Sequence, residues 1–296
     1  MTCPACAAER HRASYLGRFR FDDLEYEYRE CRTCGSLFAD PMPDAGLLER
    51  LYSPSYVTDH YESDLAGETA IPELGTELEE VARLLARERP GARLLDIGCG
   101  AGRFLRVARS MGLEGEGFEP QRATATQAAS AAGVAVHGGE LTSLVGPYEI
   151  IHLADVLEHH PRPLDLLLPA RNLLAPGGIL LLRGPIENQP HLFQQALRSQ
   201  RLLRRPFQKA RSHAAPHHVV LFTLRGWHAL ATRAALSIRE ERVYEVFWPV
   251  PHRFTPRPTW FLKAASRWLS ASRLGRRLSL GNRVVSLLQP VPAASG

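Results

Sequence analysis

No run of apolar residues in this sequence is long enough to cross a membrane; Ile179–Leu182, among the longest, falls far short of the roughly 20 residues a bilayer needs. The start, Met-Thr-Cys-Pro-Ala-Cys, lacks the apolar core of a secretion signal, so a cytoplasmic location is expected. Cysteine is scarce. Five cysteines in 296 residues, held in a reducing compartment, argue for metal ligation rather than disulfides. Acidic residues are missing over long stretches: none stands between Glu187 and Glu240, and none follows Glu245. Arg198, Arg201, Arg204, Arg205, Lys209 and Arg211 fill the first gap; eight basic residues from Arg253 to Arg283 fill the second. Two such blocks on a chain of net charge +5 imply either an anionic partner or a solvated arginine-rich surface. Internal repeats and long low-complexity tracts are also absent. At 45% apolar, the chain can bury one good core and a small extra module.

Four of the cysteines form two Cys-x-x-Cys pairs, Cys3/Cys6 and Cys31/Cys34, with 24 residues between them. Paired thiolates at this spacing can close a tetrahedral Zn²⁺ site with no open position, which makes the ion structural. Between the pairs, Phe19–Phe21 and Leu24–Arg29 alternate as short strands do. A redox dithiol needs only one pair and a βαβ setting, which is missing here. A zinc ribbon over residues 1–40 is therefore expected. Pro41-Met-Pro43 ends it, and 41–90 reads as a helical lid or linker that holds Tyr52, Tyr56 and Tyr61 and then an amphipathic helix over Thr76–Arg89.

The rest is organised around Arg93-Leu-Leu-Asp-Ile-Gly-Cys-Gly-Ala-Gly-Arg. A short apolar strand runs into glycines at 98, 100 and 102, and helical character follows, which is the layout of a nucleotide-type cofactor loop. Glycines let the backbone approach a ligand, and free N–H groups at the helix start face it. Asp96 at the strand end would repel a pyrophosphate and suits an amino-bearing ligand. Glu119 closes the next strand 21 residues after Gly98, where a carboxylate can accept both ribose hydroxyls. Further strands are expected over 134–140, at the start of 148–161, which holds a strand and the turn after it, and over 179–183 and 236–247, alternating with helices as in a doubly wound parallel sheet.

The Asp-x-Gly-x-Gly-x-Gly loop, Asp155-Val-Leu-Glu-His159, Ala175-Pro-Gly-Gly178 before a strand, and His218 ahead of Phe222-Thr223 together resemble the class I S-adenosylmethionine (SAM) dependent methyltransferases, in particular zinc-ribbon members acting on sugars and small molecules. The resemblance spans nearly the whole chain. It implies an α/β, Rossmann-like seven-stranded sheet over 91–290, with a basic insert at 185–216, an amphipathic helix at 258–275 and a loose tail at 291–296. It also implies SAM as cofactor: Asp96, Gly98 and Gly100 at its methionine end, Glu119 at the ribose, Glu140 and Leu141 at the adenine, and Tyr56 reaching over from the lid. Tyr56 could equally pack the ribbon onto the core.

For chemistry, a histidine near neutral pKa suits deprotonation of a hydroxyl. His218 is the first choice for general base, with His159 and then His160 behind it. Sugar C-methyltransferases of this family tend to carry Tyr-x-Glu-His where this chain has Ala215-Pro-His-His218, so O-methylation is expected over carbon methylation. The arginines of 198–211 suggest an anionic small-molecule acceptor, such as a sugar nucleotide, a glycan or a lipid-linked precursor. The helix at Trp260–Leu274 could rest on a membrane surface, with aromatics on one face and arginines around them, or pack that face into the core or a dimer. Two other classes stand beside this reading. A ribosomal or transfer RNA methyltransferase would want an Asn-Pro-Pro-Tyr-type motif where Ala154-Asp-Val-Leu stands, and the acidic ribbon middle would repel phosphates. A non-catalytic SAM-fold binding protein would not need Asp96, the glycines and Glu119 intact.

Overall fold

The structure, a computed structural model, describes residues 1–21, 23–51, 72–204, 216–246 and 257–292. Tyr56 and the basic residues Arg205, Lys209 and Arg211 lie outside the described residues. Among the described residues, no helix is long and apolar enough to cross a membrane.

At the N-terminus, β1 (His11–Phe21), β2 (Leu24–Cys31) and β3 (Leu37–Asp40) form an antiparallel sheet. Tyr15, Phe19, Tyr26, Tyr28 and Leu37 give it a small core of its own. Its fourth strand comes from far along the chain, because β9 (Val220–Leu221) pairs with β3. The ribbon is thus sewn to the segment that follows the basic insert.

The main sheet has seven strands, as expected. β4 (Arg93–Ile97) is flanked on one side by β5 (Glu114–Phe118) and β6 (Val136–His137), and on the other by β7 (Tyr148–Ala154) and β8 (Leu174–Pro185), all parallel. Beyond β8, β11 (Arg283–Pro290) runs antiparallel, and β10 (Leu236–Tyr244) closes the edge. Helices cover both faces, so Leu94, Leu95, Ile150, Ile151, Leu180 and Leu181 are all fully buried, and the strands read as unbroken apolar runs. The chain leaves β4 for β5 and β6, then crosses back to β7. The loops after β4 and β7 therefore border the switch point, where open α/β sheets bind ligands.

Three local expectations change. The strand over 134–140 shrinks to Val136–His137. Ala175-Pro-Gly-Gly178 does not stand before the strand but lies inside β8 as an irregularity: the register slips between Tyr148↔Leu174 and Ile150↔Ile179, and Gly177 takes φ +71° to absorb it. The helix Pro258–Ala271 turns Phe261 and Trp268 outward, 53% and 75% exposed, and leaves Trp260 half-buried, so an aromatic face packed wholly into the core is overturned. Its buried stripe is polar. Lys263 Nζ donates to Glu245 Oε1 at 2.5 Å, and the hydroxyls of Ser266 and Ser270 donate to Oε2 at 2.8 Å. A desolvated carboxylate needs these partners, and their demand outweighs apolar periodicity. Glu245→Gln, which strands the Lys263 ammonium, should cost about 3–5 kcal/mol in urea unfolding; an unchanged midpoint would show that the buried pair is dispensable.

Candidate functional site

The loop after β4 needs its glycines. Gly98, Gly100 and Gly102 have φ of 72°, 51° and 73°, a left-handed region that L side chains rarely adopt. A Cβ on Gly98 would also lie 2.5 Å from Val156 Cγ2, so this glycine lets the β4 loop close against the turn after β7. Gly100 N–H donates to Glu119 Oε2 at 3.2 Å, and Gln121 N–H to Oε1 at 3.3 Å. Burial raises the Glu119 carboxyl, against those two N–H groups, which favour the anion. Each oxygen keeps a lone pair for a further donor. Glu140 is exposed, just ahead of buried Leu141, which opens a single 3₁₀ turn, Leu141–Ser143.

Asp96 is 3% exposed, and its Oδ1 lies 2.7 Å from His152 Nδ1. The two residues are register partners across β4 and β7, and the His152 ring sits 3.9 Å from that of Phe104. His152 was not singled out from sequence. Nothing in an apolar strand reveals that one histidine faces the Asp of its neighbour.

Across the switch point, the turn after β7 gathers charge. Asp155 takes φ +55°, and both of its oxygens accept from Arg283 Nη2, at 2.7 and 2.9 Å. Burial works to raise its carboxyl, but Arg283 and Arg183 outweigh it and hold Asp155 below the usual carboxylate range. Glu158 is 1% exposed, and neither of its oxygens has a hydrogen-bond partner. Burial, with Asp155 adding to it, pushes this carboxyl up to about 8. His159 Nδ1 pairs with the His217 carbonyl at 2.8 Å; burial, aided by the charge of His218, takes its imidazole down to about 3. His218 arrives on the segment that β9 ties to the ribbon, and its ring centroid is 4.7 Å from that of His159. Its Nδ1 lies 2.8 Å from Glu187 Oε2. Burial alone would lower His218, but the Glu187 carboxylate prevails and takes it up to about 9.

The structure thus brings His159 and His218 together and sets Glu158 beside them. Glu187 and Arg283 were missed from sequence. The only signal for Glu187 was that it is the last acidic residue before a long basic stretch. Arg198 was read as a contact for an anionic acceptor, yet its guanidinium is committed to both oxygens of Glu30 at 2.9 Å and lies 5.2 Å from the Tyr15 ring. A salt bridge formed that way gives this arginine a structural task.

The four ribbon thiols also converge. Cys3 and Cys34 sulfurs are 3.7 Å apart, Cys6 and Cys31 sulfurs 3.5 Å, and all four lie within 4.8 Å of one another. Tetrahedral Zn–S bonds of about 2.3 Å place sulfurs roughly 3.8 Å apart, so the donor set fits. Both knuckles use the same turn: Ala7 N–H donates to the Cys3 carbonyl and Gly35 N–H to the Cys31 carbonyl, each at 2.9 Å, with left-handed φ at Ala7 and Gly35. The ribbon braces the site by several routes. Tyr28 Oη donates to the His218 carbonyl at 2.6 Å, and Thr223, the N-cap of the helix Leu224–Arg233, donates its hydroxyl to the Cys34 carbonyl at 2.6 Å.

Residues 70–241 match the family model described as a methyltransferase domain. Among solved structures, the chain is similar to the magnesium protoporphyrin IX methyltransferase of Synechocystis, solved with bound SAH. That match has 14% identity and a TM-score of 0.54, covering 83% of this chain and 100% of the other. It is also similar to a chain of the complex between the Haloferax volcanii Trm112 methyltransferase activator and a methyltransferase, at 12% identity and TM-score 0.51, covering 82% and 97%. A protein from Galdieria sulphuraria, described as a sarcosine dimethylglycine methyltransferase, matches at 14% identity and TM-score 0.50, covering 79% and 98%. No curated protein sequence matches the chain.

Proposed function

Since this chain belongs to the methyltransferase domain family and is a SAM-dependent methyltransferase, we propose that it methylates a hydroxyl oxygen of a small-molecule, sugar or glycolipid-type acceptor. The observation that carries this reading is the His218–Glu187 pair, set beside His159 in the turn that follows Val156, the residue packed on Gly98 of the cofactor loop. SAM supplies a methyl group on a sulfonium, already a good electrophile, so the protein has to position, deprotonate and exclude water. Asp96, Gly98 and Gly100 hold the methionine end, with Asp96 also paired to His152. Glu119 takes the ribose hydroxyls, while Glu140 and Leu141 border the adenine. The SAH in the Synechocystis neighbour supports a ligand of this shape on this fold. Tyr56 is retained as a lid contact. His218 Nε2 accepts the acceptor proton, with Nδ1–H held by Glu187, and His159 lines the same corner.

Calorimetry with S-adenosylhomocysteine tests the cofactor half. Glu119→Ala removes the acceptor of two hydroxyl hydrogen bonds and should weaken binding by at least about 100-fold, at roughly 1.5–3 kcal/mol lost per bond to a charged group. Wild-type affinity in that variant would take Glu119 out of the site.

The acceptor is proposed to be anionic, such as a sugar nucleotide, a glycan or a lipid-linked precursor, met by Arg201 and the basic residues that follow it. The Cys3, Cys6, Cys31 and Cys34 thiols are proposed to hold structural Zn²⁺, in a cytoplasmic protein where thiols stay reduced. Peripheral membrane contact is proposed through the helix Pro258–Ala271 and its continuation, where Phe261, Trp268, Leu274 and Leu278 are exposed among Arg273, Arg276 and Arg277. Flotation with anionic liposomes should carry the protein up, and Trp268→Ala should reduce this; a protein that stays at the bottom of the gradient refutes the contact.

A further inference from the structure

Glu158 is 1% exposed and neither of its oxygens is hydrogen-bonded, so its carboxylate is costly there and is stabilised either by a proton or by a cation. Two imidazoles stand beside it, along with the Asp155–Arg283 pair. His159 Nε2 is 3.9 Å from Glu158 Oε1, and the donor atoms of Glu158, His159 and His218 all lie within 4.8 Å of one another. The outer partners of these imidazoles matter as much. His159 Nδ1–H donates to the His217 carbonyl and His218 Nδ1–H to Glu187, both at 2.8 Å. A carbonyl or carboxylate on one ring nitrogen leaves the lone pair on the other, and this is the arrangement that orients metal-ligating histidines.

We propose that Glu158, His159 and His218 form a second metal site, distinct from the ribbon, which binds one divalent first-row cation through a carboxylate oxygen and two Nε2 atoms. Two histidines and one carboxylate are a ligand set used by both zinc and non-haem iron sites. Bonds of about 2.1 Å require donors roughly 3–3.5 Å apart, so separations of up to 4.8 Å must close by up to about 1.3–1.8 Å, shared among three side chains that can rotate. Asp155 contributes no ligand, since Arg283 occupies both of its oxygens. The ribbon is a closed set of four thiols, whereas three protein ligands leave positions open.

This inference rests on the acceptor-side reading above and changes the task of His218. The acceptor hydroxyl would sit at an open position, where the cation lowers its pKa and the proton leaves to solvent water. The resulting oxygen forms the new bond to the methyl carbon. The carbon–sulfur bond breaks with its electron pair going to sulfur, which releases S-adenosylhomocysteine and the methyl ether.

Mn²⁺ alone is the probe, because it suits oxygen and nitrogen donors, whereas the ribbon thiolates select zinc. Full-length protein with its ribbon zinc retained would be titrated with Mn²⁺, following the loss of the free-ion EPR signal, and then with S-adenosylhomocysteine by calorimetry. The wild type should bind one Mn²⁺ per chain. Glu158→Gln and His218→Ala should each weaken it at least tenfold, and Glu187→Gln, which removes only the outer partner, by about 10- to 100-fold. Retained S-adenosylhomocysteine binding certifies that each variant is folded; should Glu158→Gln fail that check, His218→Ala decides. No wild-type Mn²⁺ site, or one unmoved by the variants, overturns the proposal. Mn²⁺ absent with S-adenosylhomocysteine bound removes the cation alone, and loss of both removes the functional reading beneath it.

Discussion

Emptying the zinc site proposed for the four N-terminal thiols should disable methyl transfer, although these thiols belong to the ribbon and not to the cofactor loop. The path is short. Cys34 lends its carbonyl to Thr223, whose side chain caps the helix Leu224–Arg233 by accepting from Gly226 N–H at 3.1 Å. Ser36 Oγ accepts from Thr223 N–H at 3.1 Å, and β3 pairs with β9 directly after His218. Asn188, next to Glu187, donates to the Gly35 carbonyl at 2.6 Å and accepts from Tyr15 Oη at 3.0 Å. Both members of the His218–Glu187 pair are therefore anchored to the ribbon. Structural zinc supplies about 10–16 kcal/mol to small zinc domains that fold around it. Even a quarter of that, lost here, should lower Tm by at least about 5 °C. Cys34→Ser should accordingly lose zinc, melt earlier and turn over at least tenfold more slowly, while the glycine loop still binds S-adenosylhomocysteine. Metal content, differential scanning fluorimetry and a turnover assay read the three effects. A zinc-free variant with undiminished turnover would show the ribbon to be a passenger.

What the sequence revealed of this arrangement was its local part. Two Cys-x-x-Cys pairs, a glycine loop at a strand end and a Thr ahead of an apolar helix are short-range signals, because backbone geometry within a few residues dictates those residue types. The count of seven strands followed from the family resemblance together with strand–helix alternation. The long-range pairs were invisible. Asp155 meets Arg283 across 128 residues, Arg198 meets Glu30 across 168, and Tyr28 reaches the His218 carbonyl across 190. No periodicity encodes such meetings, since they depend on where the finished sheet places each side chain. The helix Pro258–Ala271 misled for the opposite reason. Its aromatics are periodic, but the stripe of Lys263, Ser266 and Ser270 is periodic too, and only the buried Glu245 behind it determines which face turns inward.

His218→Ala should lower kcat by about 10²- to 10⁴-fold, the range that a positioned proton acceptor contributes, with little change in S-adenosylhomocysteine affinity. The pH profile carries more information than the loss itself. Glu187 stabilises the imidazolium, so in metal-free enzyme the proton-accepting fraction of His218 grows as pH climbs towards 9, and the rate should rise with an inflection near there. Glu187→Gln removes the opposing charge, so the inflection should move down towards the ordinary imidazole value near 6.5, at a lower plateau rate. Linkage gives a second readout of the same group. The folded pKa lies above the unfolded one, so the stability that the pair contributes is complete below about 6.5 and is lost as pH rises through about 9. Tm should therefore fall more between pH 7 and 9.5 in the wild type than in Glu187→Gln. If a cation occupies Nε2, added Mn²⁺ competes with the proton there and draws the kinetic inflection below 9 in the wild type but not in Glu158→Gln. A flat profile in all of these would remove His218 from both roles and leave it as a brace for the turn after β7.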